Sequence, residues 1–370
     1  MPTEVSRSQV LAFRWHAHQL GRTSATAPDD CALLDLGIQD TGGDGAAWAL
    51  RVRGTPPDTE GSLALAWTLR AAPHCYRRAD LAAIAVATQP LSEADAGKRI
   101  FDANKPLKAA GIPALTALRK VATQMREIVT EPTVKGAMSS ALTDRLPDPY
   151  QRFCRPCNTI HLYEMPFRLA ALQAGLELRP GTSPPVLERI PSLRAGYFGG
   201  SGADAEPRFD VVRGFLRFFG PATPKHVAGY IDAPVKDVKA QWPADAVGVS
   251  VAGETRWILG DDLPALLDPP APHGVRLLGP YDPYLQLRDR ELLVPHTDQH
   301  KALWPVLGRP GVIIDGGEVV GLWRPRTSGR KLTVQITPWT PLTKPLRAAI
   351  DEQARRLAEH REVTLAAVTE

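Results

Sequence analysis

Residues 209–260 constrain the fold more than any other part of this 370-residue sequence. Apolar side chains recur at helical spacing from Phe209 to Phe219, and Gly220-Pro221 ends that helix. Thr223-Pro224 then supplies an N-cap and a proline at the first helical position of a second helix. A third short helix follows, and two alternating strands complete the segment. Three helices and a hairpin predict a winged helix-turn-helix module.

The same plan recurs less clearly twice upstream. Helices are predicted at 8–20, 29–37 and 45–53, and LALAWTLR and HCYRR form a hairpin after them. Further along, a helical pattern precedes the strand NTIHLYE and the helix MPFRLAALQAG. We therefore predict three winged-helix modules, at residues 1–100, 101–198 and 208–272.

After residue 272 the pattern changes to short alternating strands with glycine-rich turns. Asp315-Gly316-Gly317 is a strong hairpin signal between two of these strands. We predict a small β-barrel at 273–343 and a helix within 344–370. The predicted fold class is therefore α+β, with three tandem winged helix-turn-helix modules followed by a small C-terminal β-barrel and a terminal helix.

Composition and charge narrow the functional classes. A net charge of +4 permits a nucleic-acid partner without requiring one, so the positions of the basic residues must decide. The sequence has no secretory signal pattern and no apolar run near the ~18–20 residues that span a bilayer. Four cysteines are too few for a disulfide framework. These features lead us to expect a cytoplasmic protein without membrane contacts.

The pair Cys154 and Cys157 forms a C-x-x-C motif, with His161 four residues further on. A structural zinc site needs a fourth ligand, which normally comes from a second pair with similar spacing. Cys31 and Cys75 are not such a pair. The pattern therefore favours a reduced, partly buried pair over a metal site, and it predicts neither metal nor cofactor.

Two groups of basic residues are candidates for phosphate contacts. A solvated surface explains either group alone, whereas a phosphate-binding groove requires that the two converge. Trp323 lies beside Arg324, so it is a candidate either for stacking against a base or for the barrel core. The predicted DNA-binding residues are Arg51, Arg53, Arg70, Arg77, Arg78, Trp323, Arg324, Arg326, Arg330 and Lys331.

The triplet Gln39-Asp40-Thr41 lies between two apolar segments that are both predicted to be helical. In one interpretation, Asp40 or Thr41 caps the following helix and Gln39 is a surface residue. In the other, the three side chains face DNA and form a chemical centre. The residues by themselves leave both interpretations open.

With three winged-helix modules, a C-terminal barrel and LGIQDT at the end of an early helix, the chain resembles the AlkZ/YcaQ-like winged-helix proteins. Other matching passages are WTLRAAPHCY, FLRFFGPATPKHVAGY, VRLLGPYDPYLQLRDR and VVGLWRPR. The resemblance extends over nearly the whole chain. It implies binding to double-stranded DNA and, as in characterised members, excision of bulky or cationic N-alkylated purines or unhooking of alkylation crosslinks.

The resemblance also implies an active-site signature of Gln, a second residue, then Gln or Asp. Gln39 matches the first position and Asp40 the middle one, whereas Thr41 departs from the last. A hydroxyl is a poorer base than a carboxylate. We therefore expect Gln39 and Asp40 to carry out the chemistry in a monomeric glycosylase, with assistance from Thr41. Two alternatives remain: a non-catalytic DNA-binding protein, acting as a regulator or damage-binding shield, and a protein-interaction scaffold.

Overall fold

The computed structural model describes residues 2–42, 45–58, 60–191, 193 and 200–370. The end of the predicted second module, residue 198, lies outside them. Within the described residues the chain forms fifteen α-helices, with these bounds: α1 Arg7–Ala17, α2 Gly45–Val52, α3 Leu81–Ala87, α4 Glu93–Arg99, α5 Asn104–Ala109, α6 Ala114–Ile128, α7 Lys135–Arg145, α8 Glu164–Leu169, α9 Val211–Phe219, α10 Pro224–Ile231, α11 Val235–Ala240, α12 Leu263–Leu267, α13 Arg290–Leu293, α14 Thr297–Leu303 and α15 Lys344–His360.

Sixteen β-strands occur in the same described part of the chain, which confirms the α+β class. Their bounds are β1 Thr3–Glu4, β2 Ile38–Gln39, β3 Leu63–Trp67, β4 Pro73–Arg77, β5 Thr133–Val134, β6 Gln151–Cys154, β7 Thr159–Leu162, β8 Leu176–Leu178, β9 Val186–Arg189, β10 Ala246–Val251, β11 Glu254–Leu259, β12 Val275–Leu278, β13 Gly311–Asp315, β14 Glu318–Ser328, β15 Lys331–Pro338 and β16 Thr364–Thr369.

The segment 209–260 folds as its sequence pattern predicts. Helices α9, α10 and α11 are followed by the antiparallel hairpin β10–β11. Asp210 caps α9 and Thr223 caps α10, so each helix begins where a short polar side chain can accept from the exposed N–H groups. The N-terminal strand β1 pairs in parallel with β10, which the sequence pattern did not indicate. The number of winged-helix modules in the chain stays a prediction.

A six-stranded sheet joins the regions predicted as the first and second modules. Its strand order is β2-β4-β3-β8-β9-β5, so strands from both regions are hydrogen-bonded neighbours. The hairpin predicted from LALAWTLR and HCYRR is confirmed as β3–β4. The predicted helix over 29–37 is wrong: two short 3₁₀ turns, Pro28–Asp30 and Ala32–Asp35, occupy this stretch, and the chain then enters β2. The module boundaries themselves stay predictions.

The C-terminal region forms a five-stranded sheet in the order β12-β13-β14-β15-β16. The predicted turn between β13 and β14 is confirmed, with Gly316 and Gly317 at positive φ, as a tight hairpin turn requires. Helix α15 packs on β12 and leads into β16, which pairs in parallel with β15. The region predicted as a separate terminal helix therefore contributes an edge strand to this sheet.

The largest apolar core unites elements that are distant in sequence. It includes Trp15 of α1, Phe215 of α9, Ile313 of β13 and Trp323 of β14. A second core surrounds α6 and α7. Because α1, α9 and the C-terminal sheet share one core, the surfaces they carry are fixed relative to one another. A search of the described residues found no helix with the length and apolar character to cross a membrane.

Candidate nucleic-acid interface and active site

Gln39 lies on an edge strand of the six-stranded sheet, so the prediction that the triplet follows directly on a helix is wrong. Gly37, at φ +91°, turns the chain out of the preceding 3₁₀ turn into β2. A Cβ atom at this position would lie 2.5 Å from the ring of Tyr76, so only glycine fits. In β2, Gln39 pairs with His74 of β4. The sheet therefore fixes the backbone of Gln39.

Two hydrogen bonds hold the half-buried carboxamide of Gln39. Its Oε1 accepts from Arg70 Nη2 at 3.0 Å, and its Nε2 donates to Thr41 Oγ1 at 3.0 Å. Tyr230 holds Arg70 in turn. Arg70 Nη1 donates to the backbone carbonyl of Tyr230 at 2.9 Å, and the guanidinium carbon lies 4.6 Å from the centroid of the Tyr230 ring. Arg70, Gln39 and Thr41 thus form one ordered polar chain.

Asp40 caps helix α2. Its Oδ1 accepts from the backbone N–H of Ala46 at 2.9 Å, and its own N–H donates to the carbonyl of Pro73 at 2.8 Å. A carboxylate at this position stabilises the helix both by hydrogen bonding and through the helix dipole. This contact agrees with the interpretation of Asp40 as a helix cap. One carboxylate oxygen is engaged in that role.

A cleft of about 330 Å³ lies between the turn that follows β2, at Thr41 and Gly42, and the C-terminal sheet. Thr41 and Gly42 lie on one side, and the start of β13 and the middle of β14 lie on the other. Its lining includes four arginines: Arg309, Arg324, Arg326 and Arg361. Of the described lining residues, Asp282 is the one acid, and it is fully buried in an ion pair. The cleft is therefore strongly basic beside Thr41.

Further arginines connect this cleft to Gln39. Burial and then the charge of Arg70 lower the pKa of Arg288 to about 10, and Arg290 and Arg309 act in the same direction. The buried Nε of Arg309 has no hydrogen-bond partner among the described residues. Clustered guanidinium groups favour an anionic ligand such as phosphate.

Two arginines predicted to contact DNA are instead buried structural residues. Arg53 is fully buried and donates to both carboxylate oxygens of Asp282 at 2.8 Å. Arg77 is 5% exposed and donates to Asp35 at 2.6 Å and to the carbonyl of Cys31 at 2.6 Å. The prediction that these two side chains bind phosphates is wrong, because neither is accessible and each has a carboxylate partner.

Arg78 and Trp323 also have structural partners. Arg78 Nη1 contacts both carboxylate oxygens of Glu177 at 2.6 and 2.7 Å, which neutralises its charge. Trp323 is 2% exposed, and its Nε1 donates to the carbonyl of Leu278 at 2.9 Å. Trp323 is therefore a core residue, as the second of the two alternatives stated, and its buried ring cannot stack against a base.

Of the remaining predicted basic residues, Arg70 is half-buried against Gln39 and Tyr230, and the others are at least partly accessible. Arg324 and Arg326 are exposed on β14 and line the cleft, whereas Arg330 and Lys331 lie exposed at the tip of the β14–β15 hairpin. Arg51 is half-buried near the end of α2. The hairpin thus carries a basic strip from the cleft to its tip.

Sequence reasoning missed four arginines because none of them lies in a longer basic run: Arg288, Arg290, Arg309 and Arg361. The segment YDPYLQLRDR could have indicated two of them, because Arg288 and Arg290 flank Asp289 at its end. Sequence reasoning also missed Val306 and Leu307, which are 94% and 86% exposed. They lie just before Gly308, whose carbonyl accepts from Arg324 Nη1 at 2.7 Å.

Comparison with known proteins agrees with this architecture. A sequence model of the family described as DNA glycosylase AlkZ-like matches residues 45–360. The fold is similar to that of the Streptomyces sahachiroi DNA glycosylase AlkZ, with a TM-score of 0.75, 18% sequence identity and coverage of 99% of both chains. A comparison with curated proteins found no match.

Proposed function

The chain belongs to the AlkZ-like DNA glycosylase family, and we propose that it excises cationic or bulky N-alkylated purines from double-stranded DNA or unhooks crosslinks made by alkylation. The proposal includes action as a monomer without a cofactor. Gln39 is the residue on which the chemistry depends in this proposal.

One observation carries the proposal: the ordered carboxamide of Gln39 lies between Arg70 and Thr41, and Thr41 lines an arginine-rich cleft. The guanidinium groups supply the charge that a DNA backbone requires. The carboxamide supplies a fixed donor and acceptor, which is what orientation of a water molecule requires.

The chemistry suits a cationic leaving group. When the glycosidic bond of an N7- or N3-alkylated purine breaks, its electron pair neutralises the base, so the base needs no proton. The remaining sugar resembles an oxocarbenium ion, which a nearby carboxylate stabilises. In our proposal Gln39 orients the attacking water. The carboxylate of Asp40 accepts the proton through the oxygen that does not cap α2, and Thr41 holds the carboxamide of Gln39.

DNA binding in this proposal uses the accessible basic residues. Arg324 and Arg326 contact phosphates at the cleft, and Arg330 and Lys331 extend the contact along the β14–β15 hairpin. Val306 and Leu307 present an apolar tip beside the arginine cleft. Apolar side chains inserted between base steps kink a duplex, and we assign that role to this tip.

A second function is favoured by the capping role of Asp40. If that carboxylate serves only α2, and Thr41 replaces the last acidic or amide residue of the family signature, the protein binds damaged DNA without cleaving it. Both functions use the same arginine cleft. They differ in whether an abasic site forms.

The test measures release of 7-methylguanine from methylated duplex DNA alongside duplex affinity. We expect wild-type protein to release the base, and Gln39→Ala to lose release while keeping its affinity within about threefold. Gln124→Ala, on α6 outside the cleft, is the matched control and should behave as wild type. Equal release by Gln39→Ala and wild type would remove Gln39 from the chemistry, and binding without release by either protein would support the second function.

A further inference from the structure

Three metal-ligating side chains meet at the tip of the β6–β7 hairpin. The two thiol sulfurs of Cys154 and Cys157 and a ring nitrogen of His161 all lie within 4.8 Å of one another. The hairpin belongs neither to the arginine cleft nor to the Gln39 chain. The sequence pattern favoured a reduced cysteine pair without metal, and the fold adds His161 as a third ligand.

The strand register explains why these residues converge. Cys154 pairs with Thr159 and Arg152 pairs with His161, so Cys154 and His161 are diagonal neighbours on one face. The turn between the strands returns Cys157 to the same face.

Two thiolates and an imidazole form a ligand set for zinc. Zn–S bonds of about 2.3 Å and Zn–N bonds of about 2.0–2.1 Å place tetrahedral ligand atoms roughly 3.5–3.8 Å apart. Because the ligand atoms lie within 4.8 Å of one another, closing to these separations requires a movement of about 1 Å at most, which side-chain rotation supplies at an accessible hairpin tip. Carboxylate-preferring ions such as Mg²⁺ and Ca²⁺ do not suit sulfur ligands.

We propose that Cys154, Cys157 and His161 bind one Zn²⁺ ion, with the fourth position open to solvent. Among the described residues no fourth His, Cys, Asp or Glu joins the group, and Cys157 is exposed. The open position is filled by water or by a small ligand from solution.

A bound zinc ion would stabilise a hairpin that has few stabilising contacts of its own. A two-stranded sheet is marginally stable in water, and among the described strands β6 and β7 pair with no strand but each other. Phe153 and Ile160, which pair across the strands, are 60% and 51% exposed, so they contribute little core. The base is attached through the buried Leu162 and through Gln151, which donates to the carbonyl of Thr143 at 2.7 Å. A zinc ion would hold the two strands together at the opposite end, which is the hairpin tip.

The experiment measures zinc content of reduced, full-length protein after dialysis against metal-free buffer, by elemental analysis. We expect one zinc per chain, and we expect Cys154→Ser, Cys157→Ser and His161→Gln each to lose most of it. His296→Gln, at an exposed histidine outside the hairpin, is the matched control and should keep its zinc. Circular dichroism of each variant separates lost ligation from lost folding.

Substitution with Co²⁺ gives a second readout that needs no variant. Wild-type protein should develop sulfur-to-cobalt charge-transfer bands and the intense visible bands of a tetrahedral site, and Zn²⁺ should abolish both. Folded wild-type protein that binds neither ion would overturn the proposal. So would a Cys154–Cys157 disulfide in freshly purified protein, detected by thiol counting, because that bond consumes both sulfur ligands.

Discussion

Removing Arg324 and Arg326 tests whether the cleft beside Thr41 binds the DNA backbone. Both side chains are exposed on β14 and line the cleft. The double variant Arg324→Gln/Arg326→Gln keeps polar side chains of similar length and removes two positive charges. Because both residues face solvent, we expect the fold to be unaffected.

The magnitude follows from counterion release. Each neutralised phosphate contributes ~0.9 to the slope of log affinity against log salt, so two lost contacts lower that slope by ~1.8. Over about a fourfold rise in salt concentration, this difference amounts to roughly tenfold in relative affinity. Binding of the variant should therefore be both weaker at low salt and less sensitive to salt.

Fluorescence anisotropy of a labelled duplex at several salt concentrations provides the slopes. Arg119→Gln/Lys120→Gln is the matched control, because it removes two exposed positive charges from α6. The control should keep the wild-type slope. The reasoning is refuted if both double variants lower the slope equally, since the effect would then come from net charge rather than from the cleft.

Three further predictions address the loop, the sheet and the apolar tip. Asp40→Ala should lower the free energy of unfolding by about 1 kcal/mol, because the α2 cap is lost. Asp40→Asn should keep the cap and lose base release if the carboxylate takes part in the chemistry. Urea unfolding measures the capping role, and base release measures the chemical role. Burial lowers the pKa of His74 to about 3, so the unfolded chain binds more protons between pH 6.5 and 3 and stability falls as pH drops through this window. The loss amounts to about 2 kcal/mol at pH 5, and His74→Gln should show correspondingly less change between pH 7 and 5 in urea unfolding. Leu307→Ser should weaken duplex binding without changing the salt slope, because an apolar contact releases no counterions; a changed slope would contradict its assigned role.

The sequence predicted those elements that are specified by residues close together in the chain. The end of α9 at Gly220, the cap of α10, the β3–β4 hairpin and the glycine turn before β14 all depend on residues within a few positions of one another. The strand β2 was missed because two residues carry no periodicity, and only the pairing with β4 makes them a strand. The two-residue strand β1 was missed for the same reason, and the longer β16 is likewise an edge strand completed by a partner distant in sequence.

The arginines show why the site was only partly predictable. Arg53 and Arg324 look alike in sequence, yet Arg53 is paired with Asp282, which lies 229 positions away. Sequence spacing cannot reveal such a partner, whereas burial and ion pairing in the structure distinguish Arg53 from Arg324. Conversely, the convergence of Arg288 and Arg309 beside Arg70 depends on the shared core that holds the C-terminal sheet against α1 and α9.

Formation of an abasic site at a defined lesion tests the central claim most directly. A duplex with one 7-methylguanine is incubated with excess protein, and alkali-labile strand breaks at that position are quantified over time. The account predicts breaks at the methylated guanine well above the spontaneous rate and none in the unmodified duplex. Saturated binding of the methylated duplex with only spontaneous breakage would contradict it.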